Sequence, residues 1–210
     1  MDGFMYHGER FNSVTHLVGS ALSISGLSIL LTLAVLQGDP WKVVSFAIYG
    51  ATLVLLYCFS TIYHSIRSPR AKRVMQKLDH NAIYLLIAGS YTPFALVTLR
   101  GPWGWTLFGL SWGLALVGIV QELTLGRRTR RLSMILYVLM GWLVLIAVKP
   151  LVDAMPLGGL IWLALGGVVY SLGIYFYLND ERVRHYHGIW HLFVLGGSFC
   201  HFICILLYVA

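Results

Sequence analysis

Residues 13–36 read SVTHLVGSALSISGLSILLTLAVL, a run of 24 residues that holds no Asp, Glu, Lys or Arg. At about 1.5 Å of rise per residue, a helix of this length crosses the roughly 30 Å hydrocarbon core of a bilayer. Six more apolar stretches follow it: Val43–His64, Leu78–Leu99, Trp103–Leu125, Leu132–Val148, Leu157–Leu178 and Gly188–Val209. The expected fold is therefore an all-α integral membrane protein, a seven-transmembrane-helix bundle forming one domain over residues 1–210. The segments between the runs are too short to hold a second domain. Pro93 is expected to kink the third span, with Gly89, Ser90 and Thr92 beside it to ease the break.

Composition points the same way. Hydrophobic residues make up 58% and charged residues 11% of the chain, with a mean hydropathy of +0.77. A soluble domain carries about 25% charged residues, so this chain lacks the polar groups to cover a surface facing water. A net charge of +7 would by itself suggest nucleic acid as a partner. The Lys and Arg residues, however, lie in the short segments between apolar runs, where they set topology and meet anionic headgroups, and nucleic-acid binding is set aside.

Twelve of the fifteen basic residues fall on the side of the N-terminus: Arg10, five within 67–77, four within 127–131, and Arg182 with Arg184. Lys42, Arg100 and Lys149 lie on the other side. The positive-inside rule then expects the N-terminus in the cytoplasm and the C-terminus outside. The first twelve residues include Asp2 and Glu9 with Arg10 as their sole fixed positive charge, unlike a cleavable signal. Cys58, Cys200 and Cys204 sit inside apolar runs without ligand spacing and read as small buried hydrophobes.

Ionisable side chains within spans are costly and usually face a bundle interior. Here they gather at one membrane face. His64 ends the second span, Asp79 begins the third, and His187 and His191 begin the seventh. Glu9, Asn12 and His16 enter the first span at the same level, and Glu122 closes the fourth. His187 and His191 stand at i and i+4, which puts both imidazoles on one helix face. With His64 from another helix they would form a three-histidine metal site with an open fourth position. The competing reading is a set of interfacial histidines, with Asp79 capping its helix. Ser60, one turn before His64, either bonds a carbonyl of its own helix or donates toward whatever the metal activates. His201 lies roughly 15 Å further along its helix than His191 at ~1.5 Å per residue, so it reads as an interior hydrogen-bonded group, not a ligand. His7, His80 and His185 are expected at solvated loops or edges.

These residues also form a pattern. Glu9-Arg-Phe-Asn-Ser-Val-Thr-His16 enters the first span, Ser60-Thr-Ile-Tyr-His64 closes the second, and Lys77-Leu-Asp79 opens the third. Gly89-Ser-Tyr-Thr-Pro93 follows, and His187-Gly-Ile-Trp-His191 opens the seventh. In that order the set resembles the bacterial hemolysin III proteins of the progestin and adipoQ receptor family, itself distantly similar to alkaline ceramidases. The resemblance spans nearly the whole chain. It implies a multi-pass protein of the bacterial inner membrane, a zinc ion on His64, His187 and His191, and an aspartate, Asp79, near the zinc water. Glu9, Asn12, His16 and His201 would serve as supporting polar residues.

On this basis the expected activity is zinc-dependent hydrolysis of a lipid amide or ester, such as a ceramide-like lipid, in membrane lipid homeostasis. Asp79 would move the proton and Ser60 would steady the oxyanion. Membrane lipids are then the expected partners, and no protein partner or oligomeric state is implied. Two alternatives remain: a membrane sensor with structural zinc, and a cytolytic activity of the kind the family name suggests. Against lysis, no ring of charges or polar run lines the spans.

Overall fold

The computed structural model describes residues 9–125 and 130–210, and His7, Arg127 and Arg128 lie outside them. Seven helices are long and apolar enough to cross a membrane: Arg10–Gln37, Pro40–Ser65, Pro69–Thr98, Pro102–Leu125, Arg131–Ala154, Leu157–Leu178 and Tyr186–Tyr208. No strand occurs among the described residues. The chain is a multi-pass membrane protein. Its outer face is apolar where lipid would touch it, with Leu22 63%, Leu116 62% and Leu207 61% exposed.

Local chemistry fixes the turns between spans. Gly38 adopts a left-handed φ of 68° and ends the first helix, a conformation that costs glycine little. Asp39 then caps the second helix by accepting from the backbone N–H groups of Trp41 and Lys42, and Pro40 occupies the first helical position.

Two spans depart from the sequence reading. The third helix begins at Pro69, nine residues before the expected Leu78. Its first turns carry Arg70, Lys72, Arg73 and Lys77 and lie outside the apolar run, so hydropathy reads them as loop. At the far end Pro93, which has no N–H, interrupts the α-helix, and Phe94–Thr98 continues as a π turn. The expected kink thus takes the form of a wider turn.

The fifth span runs to Ala154, past the expected Val148, and is broken in the middle. An α-helix over Arg130–Gly141 gives way to a 3₁₀ turn over Leu143–Ala147 and then to a helix over Val148–Ala154. The Tyr91 hydroxyl spans the break, donating to the Gly141 carbonyl at 3.0 Å and accepting from the Val144 N–H at 2.9 Å. Backbone groups freed within a membrane need such partners, and a buried tyrosine supplies them.

Helix packing relies on close approach at glycines. A Cβ on Gly89 would meet Thr52 Oγ1, one on Gly118 the Tyr84 ring, and one on Gly197 the Tyr170 ring. These contacts join the third span to the second and fourth, and the sixth to the seventh. The main core is built from Leu30, Phe46, Tyr49, Leu53, Tyr57 and Ile205 of the first, second and seventh spans. The fifth and sixth spans pack mainly on other neighbours and touch each other at few places, one of them the Trp142 indole N–H bonding Ser171 Oγ at 3.2 Å.

Gly104 tests this packing. A Cβ there would clash with the Ala95 carbonyl oxygen, a backbone atom that cannot swing aside, whereas Gly109 has open space around it. Gly104→Ala is expected to destabilise the protein by about 1–3 kcal/mol. Gly109→Ala, within a helix, is expected to leave stability unchanged or raise it by up to about 1 kcal/mol. Thermal melts in detergent compare the two, and equal melting temperatures would contradict the packing.

Candidate metal centre

His64, on the last turn of the second span, and His187 and His191, on the first turns of the seventh, meet at one membrane face. One ring nitrogen from each lies within 4.8 Å of the others. The ring centroids are 5.1 Å apart for His64 and His187, 5.0 Å for His64 and His191, and 4.8 Å for His187 and His191. His64 is 3% exposed and His191 0%. His185 precedes them with a φ of 68°, a left-handed conformation rare outside glycine. It turns the chain into the seventh helix.

Each of the three rings has an acceptor at Nδ1. His64 Nδ1 donates to Glu9 Oε2 at 3.2 Å, and His187 Nδ1 to Asp180 Oδ2 at 2.7 Å. His191 Nδ1 donates to the Asn12 carbonyl at 3.1 Å and shares its proton with Thr15 Oγ1 at 3.3 Å. The Thr15 hydroxyl already spends its own hydrogen on the carbonyls of Phe11 and Asn12, so it is free to accept. An acceptor at Nδ1 fixes the tautomer that leaves the lone pair on Nε2.

All three Nε2 atoms are buried without a hydrogen-bond partner among the described residues. An unsatisfied buried polar group costs about 1–3 kcal/mol, so three together would be a heavy penalty with nothing to bind. Neutral imidazoles held through Nδ1, with converging Nε2 lone pairs, are what a divalent transition metal requires. The residues present fit such an ion.

The supporting groups come from the first span and from the loop before the seventh. Lys72 Nζ donates to Glu9 Oε2 at 2.7 Å and to the Tyr63 carbonyl at 3.2 Å, bracing the carboxylate behind His64. Burial pushes the Glu9 carboxyl up, but the hydrogen bonds from His64 and Lys72 and the Lys72 charge outweigh it and hold the group below the usual carboxylate range. Asn12 contributes its backbone carbonyl. Asp180 is not among the residues expected from the sequence, where it lies in a loop beside Glu181, Arg182 and Arg184.

Asp79 is 8% exposed and lies near His64. The Ser60 hydroxyl is 1% exposed and lies beside the Asp79 carboxylate. His16 stacks on His191 with centroids 3.6 Å apart and planes 13° from parallel. His201 lies deeper, its Nε2 donating to the Leu163 carbonyl at 3.3 Å. His185 is exposed, and His80 is partly exposed. His80 pairs with Glu122 at 2.9 Å, and Ser133 Oγ donates to the same carboxylate at 3.0 Å, tying the third, fourth and fifth spans.

Beside the centre a cavity of about 370 Å³ opens into the bundle. His16 and Asp79 form its polar end. From there it runs between the third, fifth, sixth and seventh spans along a wall dominated by apolar side chains such as Ile83, Leu86, Val144, Leu163 and Val194.

Fold and site together define a class: multi-pass seven-helix membrane proteins with three histidines placed to hold a metal ion at one face. The family described as Haemolysin-III related matches residues 4–202, and the chain belongs to it. It is 48% identical to the Hemolysin-3 of Bacillus cereus, over 96% of this chain and 91% of that protein. It is 45% identical to the Hemolysin-3 homolog of Bacillus subtilis (strain 168), over 98% and 96%. The human monocyte to macrophage differentiation factor, a distant progestin and adipoQ receptor family member, is 28% identical over 96% of this chain and 81% of its own length.

If Nδ1 acceptors hold the rings, removing one should loosen the ion without removing a ligand. Asp180→Ala and Glu9→Ala should each lower the affinity for cobalt(II), read from its visible absorption, by about 10–100-fold. His187→Ala should abolish stoichiometric binding. Wild-type affinity in both carboxylate variants would overturn the tautomer assignment.

Proposed function

We propose that this protein is a zinc-dependent hydrolase of a lipid amide or ester, set in the bacterial plasma membrane with its histidine face toward the cytoplasm. The observation that carries this reading is that the three free Nε2 atoms lie beside His16 and Asp79, which line a largely apolar cavity. His64, His187 and His191 would hold the ion. When bound, zinc supplies a Lewis acid that polarises a carbonyl and makes water acidic enough to give hydroxide near pH 7.

The protein's own groups do the rest. The Asp79 carboxylate takes the proton of the attacking water and returns it to the leaving nitrogen or oxygen. The Ser60 hydroxyl, beside Asp79, donates to the carbonyl oxygen as negative charge develops there, a contribution often worth about 3 kcal/mol. The apolar length of the cavity receives an acyl chain and excludes water from it. The bias of basic residues toward the histidine face supports the cytoplasmic orientation.

A second reading has support in the same site. The histidines and their acceptors bind the first, second and seventh spans together, and structural zinc can contribute on the order of 10 kcal/mol of binding energy. Zinc would then be a clip in a lipid-sensing protein. Lysis, which the name of the Bacillus relatives suggests for them, gains nothing from a cavity so largely apolar.

The deciding experiment uses purified protein in nanodiscs of bacterial lipid supplemented with ceramide, followed by mass spectrometry. Wild type should release free fatty acid. Asp79→Ala should keep its zinc and lose at least ~100-fold in rate, the low end of what a positioned acid–base group contributes. Turnover by Asp79→Ala at the wild-type rate defeats the mechanism. Loss of thermal stability on zinc removal, with no lipid converted by the intact protein, favours the clip.

A further inference from the structure

His16 has no part in the chemistry above, yet its surroundings are unusual. It is 2% exposed, and neither of its ring nitrogens has a hydrogen-bond partner among the described residues. Its nitrogens do not belong to the converging set of the metal centre. The ring packs flat on His191 and meets the Tyr57 ring edge-on at 5.0 Å. A phenyl ring would pack there equally well and strand no polar atom. What a phenyl ring could not do is present one donor and one acceptor to the cavity, which a neutral imidazole does. His16 and Asp79 are the ionisable groups where that cavity meets the metal centre.

We propose that His16 recognises the substrate: its imidazole hydrogen-bonds an N–H or O–H group carried beside the carbonyl of a single-chain lipid whose tail fills the cavity. The inference rests on the lipid-hydrolase reading and adds a residue that selects among lipids. The carbonyl of such a lipid is directed at the metal centre and Asp79 at the reacting water. The neighbouring N–H or O–H then falls to His16, which lines the cavity and whose ring nitrogens have no hydrogen-bond partner among the described residues. A lipid that offers an ether or ester oxygen in the same place supplies a poor acceptor and no donor, and leaves the imidazole unsatisfied.

Binding of ligands that cannot be hydrolysed separates this role from turnover. Pentadecanol and methyl tetradecyl ether have the same number of heavy atoms, but one ends in a hydroxyl and the other in a methoxy group. Wild type in detergent should bind the alcohol about tenfold more tightly than the ether, the worth of about one buried hydrogen bond. His16→Phe, which keeps the stack on His191, should bring that preference below about twofold, with ether affinity and zinc content unchanged. His16→Gln, which restores a donor and an acceptor, should recover part of it.

An undiminished preference in His16→Phe, or no preference in wild type, overturns the proposal. Loss of zinc from both variants would place His16 in the metal centre and overturn it equally. If the preference behaves as expected but wild type converts no lipid, the hydrolase reading fails and His16 remains a lipid-recognition residue.

Discussion

A neutral imidazole in an apolar bundle carries one proton and one lone pair, and the packing must find a use for both. For the three histidines of the candidate metal centre it finds a use for the proton: Glu9 for His64, Asp180 for His187, and the Asn12 carbonyl for His191. The three lone pairs are left pointing into a shared buried space. Much of the architecture around that face serves this division. The first span supplies two of the three acceptors, which accounts for its close packing on the second and seventh. Lys72 braces Glu9 from an extension of the third helix that hydropathy alone would assign to a loop.

The bundle also separates two kinds of polar cluster. His80, Glu122, Ser133 and Gln121 form a satisfied network, in which each named group has a partner and three spans are joined. The metal centre, with His16 and Ser60 beside it, is an unsatisfied one. In a membrane protein a satisfied network is what stability asks for, and an unsatisfied one persists because something binds there. The distinction lies in which nitrogen faces which neighbour, not in the number of histidines.

The cavity follows from uneven packing. The first, second and third spans close on one another through glycines at positions 50 and 89, and the sixth closes on the seventh through Gly166 and Gly197. The fifth span, broken after Gly141, shares little with the sixth. The volume left between them is apolar because most residues on those helices are apolar, and it reaches the site because the third and seventh spans line it as well.

Seven spans were legible in the sequence because hydropathy records whether a residue can lie in lipid, and that property belongs to the residue itself. The convergence of His64, His187 and His191 on one face was legible too, since span ends and helical spacing set depth and side. The polar start of the third helix was not, because a helix that leaves the bilayer needs no apolar side chains. Nor was the pairing of His80 with Glu122, or of His187 with Asp180, because a charged group's partner depends on rotation about helix axes that a sequence leaves open. The residues determined which groups would share a membrane face. Only the tertiary structure decided which nitrogens would be held, which would be left free, and that His16, stacked on His191, would line a cavity. Those outcomes depend on differences of a few ångströms between helices brought together from distant parts of the chain.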